Sequence, residues 1–345
     1  MENIILATGG TGYVGSWVVR LLLEKGYTVR LTVRDKSRVE KFAHLEAVAQ
    51  AAPGRLELWE ADLNRPGSYD QAAQGCQAIV HMASPFTLRF EDARRDLVDP
   101  AVNGTRNVLE AANKAESVRR VVLTSSVAAI HGDNIDMKER GLKEFNESHF
   151  NQSSSVIHQP YSYSKVAAEQ AAWQMARAQD RWKLVVVNPS FVMGPSMTAS
   201  SDSESIAFMR DMLTGKYRSG APDLMFGFVD VRDVAQAHLL ALEKLEAEGR
   251  HLLAERVASV IDLVKVLKEL FGKRYKLPLM PAPKAIMMLV APMFGLSRDF
   301  VRRNVGHTIR LNTTKSREVL GLRYTDFRQT LKDMAEQMQA DGMLG

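Results

Sequence analysis

The segment that most constrains this chain is Thr8-Gly9-Gly10-Thr11-Gly12-Tyr13-Val14-Gly15, set between an apolar run and an amphipathic one. Asn3–Thr8 reads as a short buried strand. Tyr13–Lys25 spaces Val14, Trp17, Val18, Leu21 and Leu22 with a helical period and meets a C-terminal stop at Gly26. Thr28–Val33 alternates into a second strand. The glycines allow a tight turn and close backbone approach to a pyrophosphate. The helix N-terminus adds free N–H groups and a positive dipole end. Gly9, Gly12 and Gly15 fit Gly-x-x-Gly-x-x-Gly, and Gly10, Gly12 and Gly15 fit Gly-x-Gly-x-x-Gly. Candidate dinucleotide contacts are therefore Gly9, Thr11, Gly12, Tyr13, Val14 and Gly15.

The alternation continues. Helical spacing covers Arg38–Gln50, Tyr69–Ala73, Pro100–Ala115 and Ser162–Gln179, and apolar runs at Leu56–Ala61, Ala78–Ala83, Arg120–Ser125 and Lys183–Asn188 read as strands. Such an order predicts an α/β chain, a Rossmann doubly wound parallel sheet covered on both faces. After Pro189 come a Ser-rich stretch at 196–205, a strand at Phe228–Val231, helices at Val234–Glu246 and Val260–Phe271, a proline-rich connector at Lys276–Pro283, and a closing helix at Thr325–Met338. The expected domains are 1–190, dinucleotide-binding, with a return segment near 227–246, and 191–345, mainly a smaller C-terminal substrate-binding lobe.

Composition removes several classes. With 46% hydrophobic and 25% charged residues, the 345-residue chain has the mix of a globular protein rather than a disordered one. Its single cysteine, Cys76, allows neither an internal disulfide nor a thiolate zinc site, which points to a reducing compartment. Ala285–Phe294 is far short of the ~20 apolar residues of a membrane span, and Glu2 stands where a signal peptide is basic, so a cytoplasmic location is expected. The net charge of +5 does not indicate nucleic acid, and the basic stretch Arg298–Arg323 reads as solvated surface. The expected partner is a small molecule, with no nucleic acid and no membrane, for a monomer or homodimer.

Three further places carry chemistry. Arg34 follows the second strand, where a guanidinium pairs well with a 2′-phosphate. Lys36, Arg38 and Lys41 add positive charge, while Asp35 is the residue that would suit NAD; the balance favours NADPH. Tyr161 and Lys165 stand four apart on one helix face. An ammonium and an oxidised nicotinamide nearby would lower the phenol from its usual ~10, so that it exchanges a proton with a carbonyl oxygen as hydride moves. Thr124-Ser125-Ser126 ends an apolar strand at the edge where ligands bind, and one of its hydroxyls can hydrogen-bond the substrate oxygen.

Together these segments resemble the extended short-chain dehydrogenase/reductase family over nearly the whole chain. The matching pieces are residues 8–15, Asp62-Leu63, His81–Pro85, Asn103-Gly104-Thr105, Thr124–Ser126, Tyr161 with Lys165, Asn188–Ser190 and Phe228–Ala235. Within the family the chain is similar to the dihydroflavonol reductase branch, and most in look to carbonyl reductases of the yeast methylglyoxal (isovaleraldehyde) type. The resemblance implies an NADPH-dependent carbonyl reductase, with Tyr161 as general acid, Lys165 on the nicotinamide ribose and Ser126 as the catalytic serine, Ser125 being the fallback. It implies Arg34 and Lys41 at the 2′-phosphate, Asp62 and Leu63 at the adenine, Ala83 at the cofactor backbone, Pro189 and Val192 beside the nicotinamide, and Asn103 supporting a relay water. Ser84, Pro85 and Phe86 are expected to wall the nicotinamide. Where the plant reductases carry a substrate-contacting asparagine, this chain has His131, either a loop histidine or a substrate contact. Met209, Met212, Leu213, Leu224, Met225 and Phe226 would line an adaptable apolar pocket or form the lobe core. A nucleotide-sugar epimerase or dehydratase, or a dinucleotide sensor, would share this fold. The first is disfavoured by Arg34 and by Val127 after Ser126, the second by the presence of Tyr161.

Overall fold

The structure, a computed structural model, describes residues 3–84, 90–199, 203–294 and 296–344. The first half runs β1 (Ile4–Thr8), α1 (Tyr13–Glu24), β2 (Thr28–Val33), α2 (Ala43–Ala51), β3 (Arg55–Glu60), α3 (Asp70–Ala73), β4 (Ala78–His81), α4 (Asp99–Lys114), β5 (Arg120–Thr124), α5 (Asp136–Glu139), α6 (Pro160–Arg177) and β6 (Lys183–Pro189). It continues with β7 (Phe191–Met193), α7 (Glu204–Thr214), β8 (Met225–Asp230), α8 (Val231–Glu243), β9 (Gly249–Leu253), β10 (Arg256–Ser259), α9 (Val260–Phe271), α10 (Lys284–Val290), α11 (Arg298–Asn304), α12 (Thr314–Glu318) and α13 (Phe327–Ala340).

Seven strands form one parallel sheet in the order β3-β2-β1-β4-β5-β6-β9. The period-two alternation of each strand divides its side chains between two helical layers. Ile5, Ala7, Val80 and Val122 pack with Val18 and Leu22 of α1 and Val234 and Ala237 of α8. Leu6, Ile79 and Val121 pack on the other face with Val108 and Leu109 of α4 and Ala172 of α6. Strand order reverses between β1 and β4, and their carboxyl ends open the crevice where ligands bind in such sheets.

The chain returns to this sheet later than the sequence suggests. The segment near 227–246 holds most of β8, which joins a second sheet in the order β10-β8-β7, and α8, which packs on α1. The returning strand is β9, beyond that segment. Arg250 and His251 hide it by interrupting the apolar run, yet both are buried, Arg250 against the Glu169 carboxylate of α6.

The smaller lobe has its own core, in which Met193, Met209, Met212, Leu213 and Phe228 meet Leu263, Leu267, Phe327, Leu331 and Met334. Met209, Met212 and Leu213 are thus core and not the pocket lining for which their flexibility suits them, whereas Leu224, Met225 and Phe226 stay half-buried. No described helix is long and apolar enough to cross a membrane.

Candidate active site

The glycine turn is closed from behind. Gly9 has φ +69°, and a Cβ there would lie 2.6 Å from the Ala83 nitrogen. A Cβ on Gly15 would lie 2.2 Å from the Gly9 oxygen, so helix α1 approaches the turn more closely than any side chain permits. Gly12, by contrast, is exposed at the N-cap of α1, with only the Gly9 oxygen within 4 Å of its Cβ position, at 3.4 Å. No side chain caps this helix end and no acid stands in its first turn. The free N–H groups and open space fit a diphosphate. Tyr13 and Trp17 do something the motif does not announce. The Tyr13 hydroxyl donates to the Gly194 oxygen at 2.6 Å and the Trp17 ring N–H to the Pro195 oxygen at 2.9 Å, fastening α1 to the chain leaving β7.

Arg34 is exposed after β2 and has no carboxylate partner among the described residues. Asp35, the residue that would suit NAD, accepts from the Ser37 N–H at 2.8 Å and the Ser37 hydroxyl at 2.6 Å, and these bonds hold its carboxyl below the usual range. Its charge is committed to its own turn. Farther along the edge, Leu63 and Asn103 share an open cleft of about 570 Å³ with Asn64, Arg95 and Arg106. Asn103, expected beside a relay water, is exposed there. The buried asparagine of α4 is Asn107, which sequence reasoning missed. Its amide donates to the oxygens of Asp62, Leu63 and Arg65, and its own oxygen accepts from the Gly67 N–H, shaping the loop that carries Asp62 and Leu63.

Thr8 ties the ends of β1 and β4. Its hydroxyl accepts from the Ala83 N–H at 3.2 Å and shares a hydrogen bond with the His81 Nδ1 at 2.7 Å. Burial, with Lys165 nearby, drives His81 down to about 3, so the ring is neutral. Ser84 follows, and its Oγ accepts from the Lys165 Nζ at 2.9 Å. Pro85 and Phe86 lie outside the described residues.

The three hydroxyls at the end of β5 separate in space. Thr124 bonds the His238 Nε2 at 2.6 Å, toward α8. Ser125 donates to the buried Glu169 carboxylate at 2.5 Å. Ser126 is the N-cap of the turn Val127–Ala129, which packs against α6, and its Oγ accepts from the Ala128 N–H at 3.1 Å. The alternatives Ser125 and Ser126 thus differ in occupation: Ser125 gives its proton to a carboxylate, while the Ser126 hydroxyl keeps its own to donate.

Tyr161 and Lys165 lie half-buried at the start of α6, with the ammonium 5.7 Å from the ring centroid. Burial pushes the Tyr161 phenol up to about 12 and the Lys165 ammonium down to about 8. The lowered phenol expected from the sequence calls for the oxidised nicotinamide as well as the lysine; in the chain alone burial raises it. Glu169, one turn past Lys165, binds Arg250 (Nε to Oε1, 2.6 Å), the Asn188 amide and the Trp173 ring N–H, and so bolts α6 to the ends of β5, β6 and β9.

His131 is buried and stacked on Phe145 with ring centroids 4.9 Å apart, held down to about 4 by burial; its Nδ1 has no hydrogen-bond partner among the described residues. Pro189 ends β6 buried, and Val192 lies half-buried in β7 against Val229. Beside them Phe191 contacts Phe208 at 5.4 Å and Phe226 at 5.5 Å between centroids, and Phe208 leads on to Tyr217 at 6.2 Å. This half-buried aromatic cluster draws on residues up to 35 positions apart (Phe191 to Phe226) and carries no local motif.

Residues 5–253 match the NAD dependent epimerase/dehydratase family. A cinnamoyl-CoA reductase from Medicago truncatula is 34% identical over 342 residues, covering 98% of this chain and 96% of its own. A bifunctional dihydroflavonol 4-reductase/flavanone 4-reductase from Malus domestica is 33% identical over 275 residues, 79% of this chain and 78% of its own. Among solved structures, yeast methylglyoxal/isovaleraldehyde reductase complexed with NADPH is similar with a TM-score of 0.78 at 27% identity, covering 99% of both chains.

Proposed function

The chain belongs to the NAD dependent epimerase/dehydratase family, the extended short-chain dehydrogenases/reductases, and from that premise we propose that it is an NADPH-dependent carbonyl reductase converting small or aryl-bearing aldehydes and ketones to alcohols. The observation that carries this reading is the placement of Tyr161 and Lys165 on one face of α6, with Lys165 reaching Ser84 just past β4, whose carboxyl end opens the crevice.

When bound, the cofactor supplies the hydride. The chain's residues do the rest. The N–H groups at the start of α1 would hold the diphosphate across Gly12; Arg34 and Lys41 would hold the 2′-phosphate, and Asp62 and Leu63 the adenine. Tyr161 is the general acid. A phenol held near 12 enters the reaction protonated, with its proton available to the carbonyl oxygen as negative charge develops there. Lys165, which donates to Ser84, would hold a ribose hydroxyl of the cofactor, and its positive charge would favour the phenolate left behind. Ser126 donates to the same substrate oxygen. Phe191, Phe208, Tyr217 and Phe226 form an apolar wall suited to an aryl group. A nucleotide sugar would need several basic donors in this lobe; between Val192 and Gly227 there are only Arg210, Lys216 and Arg218, of which Lys216 and Arg210 pair with Asp211.

The test follows NADPH oxidation over a panel of aldehydes, ketones and nucleotide sugars, with the wild type and Tyr161→Phe. Turnover of aryl or small carbonyls, lost by roughly 10²–10⁴-fold in the variant with cofactor binding kept, is the expected result. Saturable binding of a nucleotide sugar without carbonyl reduction overturns the reading.

A further inference from the structure

The residue immediately before the Tyr161 helix has an unusual backbone. Gln159 has φ +53° and ψ +57°, and is the only non-glycine with positive φ among the described residues. Pro160 follows and opens α6, so Tyr161 is the second residue past this left-handed turn. Such a conformation persists in a glutamine only where its surroundings hold it.

What holds it is Asp133, which is fully buried. Its Oδ1 accepts from the Gln159 amide at 2.6 Å and from the Asn304 amide at 2.6 Å. Its Oδ2 accepts from the His158 Nε2 at 2.8 Å and from the Arg303 Nε at 2.5 Å. Burial alone would raise this carboxyl, but Arg303, Asn304 and His158 together hold it below the usual range. Two of its partners precede the Tyr161 helix, and two belong to α11, some 170 positions on in the chain. The same seam is stitched by the backbone: the Ile135 N–H donates to the Arg303 oxygen at 3.0 Å, and Asn134 bonds the Asn304 side chain and the Met225 oxygen of β8. Arg303 reaches on to Asp136 and Glu139 on α5. The expectation that the basic stretch around Arg303 is simply solvated surface therefore fails at this residue.

We propose that Asp133 is a positioning residue for carbonyl reduction, coupling the seating of the C-terminal lobe, through Arg303 and Asn304, to the left-handed turn at Gln159 and hence to the reach of Tyr161. Asp133 touches no reacting atom in this scheme. It makes one buried carboxylate the shared anchor of the helix that carries the acid and of the lobe whose aromatic wall receives the substrate. Substrate binding that shifts the lobe is then felt at Tyr161. The proposal rests on the reading of Tyr161 as the general acid.

The test compares Gln159→Gly, Arg303→Gln and Arg303→Lys with the wild type and with Tyr161→Phe, in steady-state kinetics and thermal melts. Glycine accepts positive φ without strain, so Gln159→Gly relaxes the turn while cutting its tie to Asp133. The expected result is a kcat lowered on the order of 10–10²-fold, the scale of a misplaced catalytic group. KM for NADPH and the melting temperature should stay near wild type, and the pH dependence of kcat should shift with the phenol's altered setting. Arg303→Gln should produce the same kcat loss, with partial recovery in Arg303→Lys. Wild-type kcat and pH profile in Gln159→Gly and Arg303→Gln, beside a silent Tyr161→Phe, refute the coupling and leave the reading of the site intact. Full turnover in Tyr161→Phe removes the reading of the site and the coupling with it.

Discussion

Mild acid should destabilise this protein through its buried histidines. His81, His131, His238 and His251 are all buried, and burial holds them down to about 3, 4, 4 and 3. In the unfolded chain each returns to about 6.5. A histidine depressed in the folded state contributes stability that is present above the unfolded pKa and is lost as pH falls toward the folded value. At pH 5 each unfolded ring has taken up a proton that its folded counterpart refuses, over about 1.5 pH units, or about 2 kcal/mol per ring. Four rings make about 8 kcal/mol, comparable with the whole ~5–15 kcal/mol of a typical fold. Asp233 acts oppositely. Burial raises it to about 6, so acid relieves its buried charge and offsets roughly 1–2 kcal/mol of the loss between pH 7 and 5. The net loss, roughly 6 kcal/mol, is read by urea unfolding at pH 7.5, 6.5, 5.5 and 5.0 at constant ionic strength. His238→Gln removes one ring, whose Nδ1 meets the Val234 oxygen and whose Nε2 meets Thr124, and should reduce the net loss by about a third. Stability that stays level from pH 7.5 to 5.5, or native ring proton signals titrating near 6.5, would refute the reasoning.

Arg34→Ala should weaken NADPH far more than NADH in kcat/KM, because a charge-assisted bond to the 2′-phosphate is worth ~1.5–3 kcal/mol and has no counterpart in NADH; equal losses for both would show that Arg34 does not read the phosphate. Gly15→Ala should abolish cofactor binding by calorimetry, since the new methyl would sit 2.2 Å from the Gly9 oxygen; normal affinity would mean the turn yields. Glu169→Gln should cost about 3–5 kcal/mol in urea unfolding, the price of a buried Arg250 left without its counter-charge, and a loss under ~1 kcal/mol would show that the guanidinium finds another acceptor.

The features legible in the residues alone are those whose causes are local. A strand, three glycines and a helix follow one another at residues 4–24, and the steric demand that selects glycine at Gly15 acts within the turn itself, against Gly9 and Gly10, whereas the demand at Gly9 comes from Ala83, 74 positions on. The alternation of strands and helices required a parallel sheet covered on both faces, and Tyr161 and Lys165 share a helix face because they lie one turn apart. The tertiary structure decided whatever depends on a partner far along the chain. Thr124, Ser125 and Ser126 are adjacent hydroxyls in sequence, and only the packing sends the first to His238 and the second to Glu169. Strand β9 carries an arginine and a histidine inside the sheet, a pattern that reads as surface until Glu169, 81 positions earlier, supplies the charge that lets Arg250 be buried. Arg303 looked like one more base in a solvated stretch, yet it meets Asp133 across 170 positions. A buried polar group is tolerated only where its partner is already in place, and periodicity and local propensity hold no record of that partner.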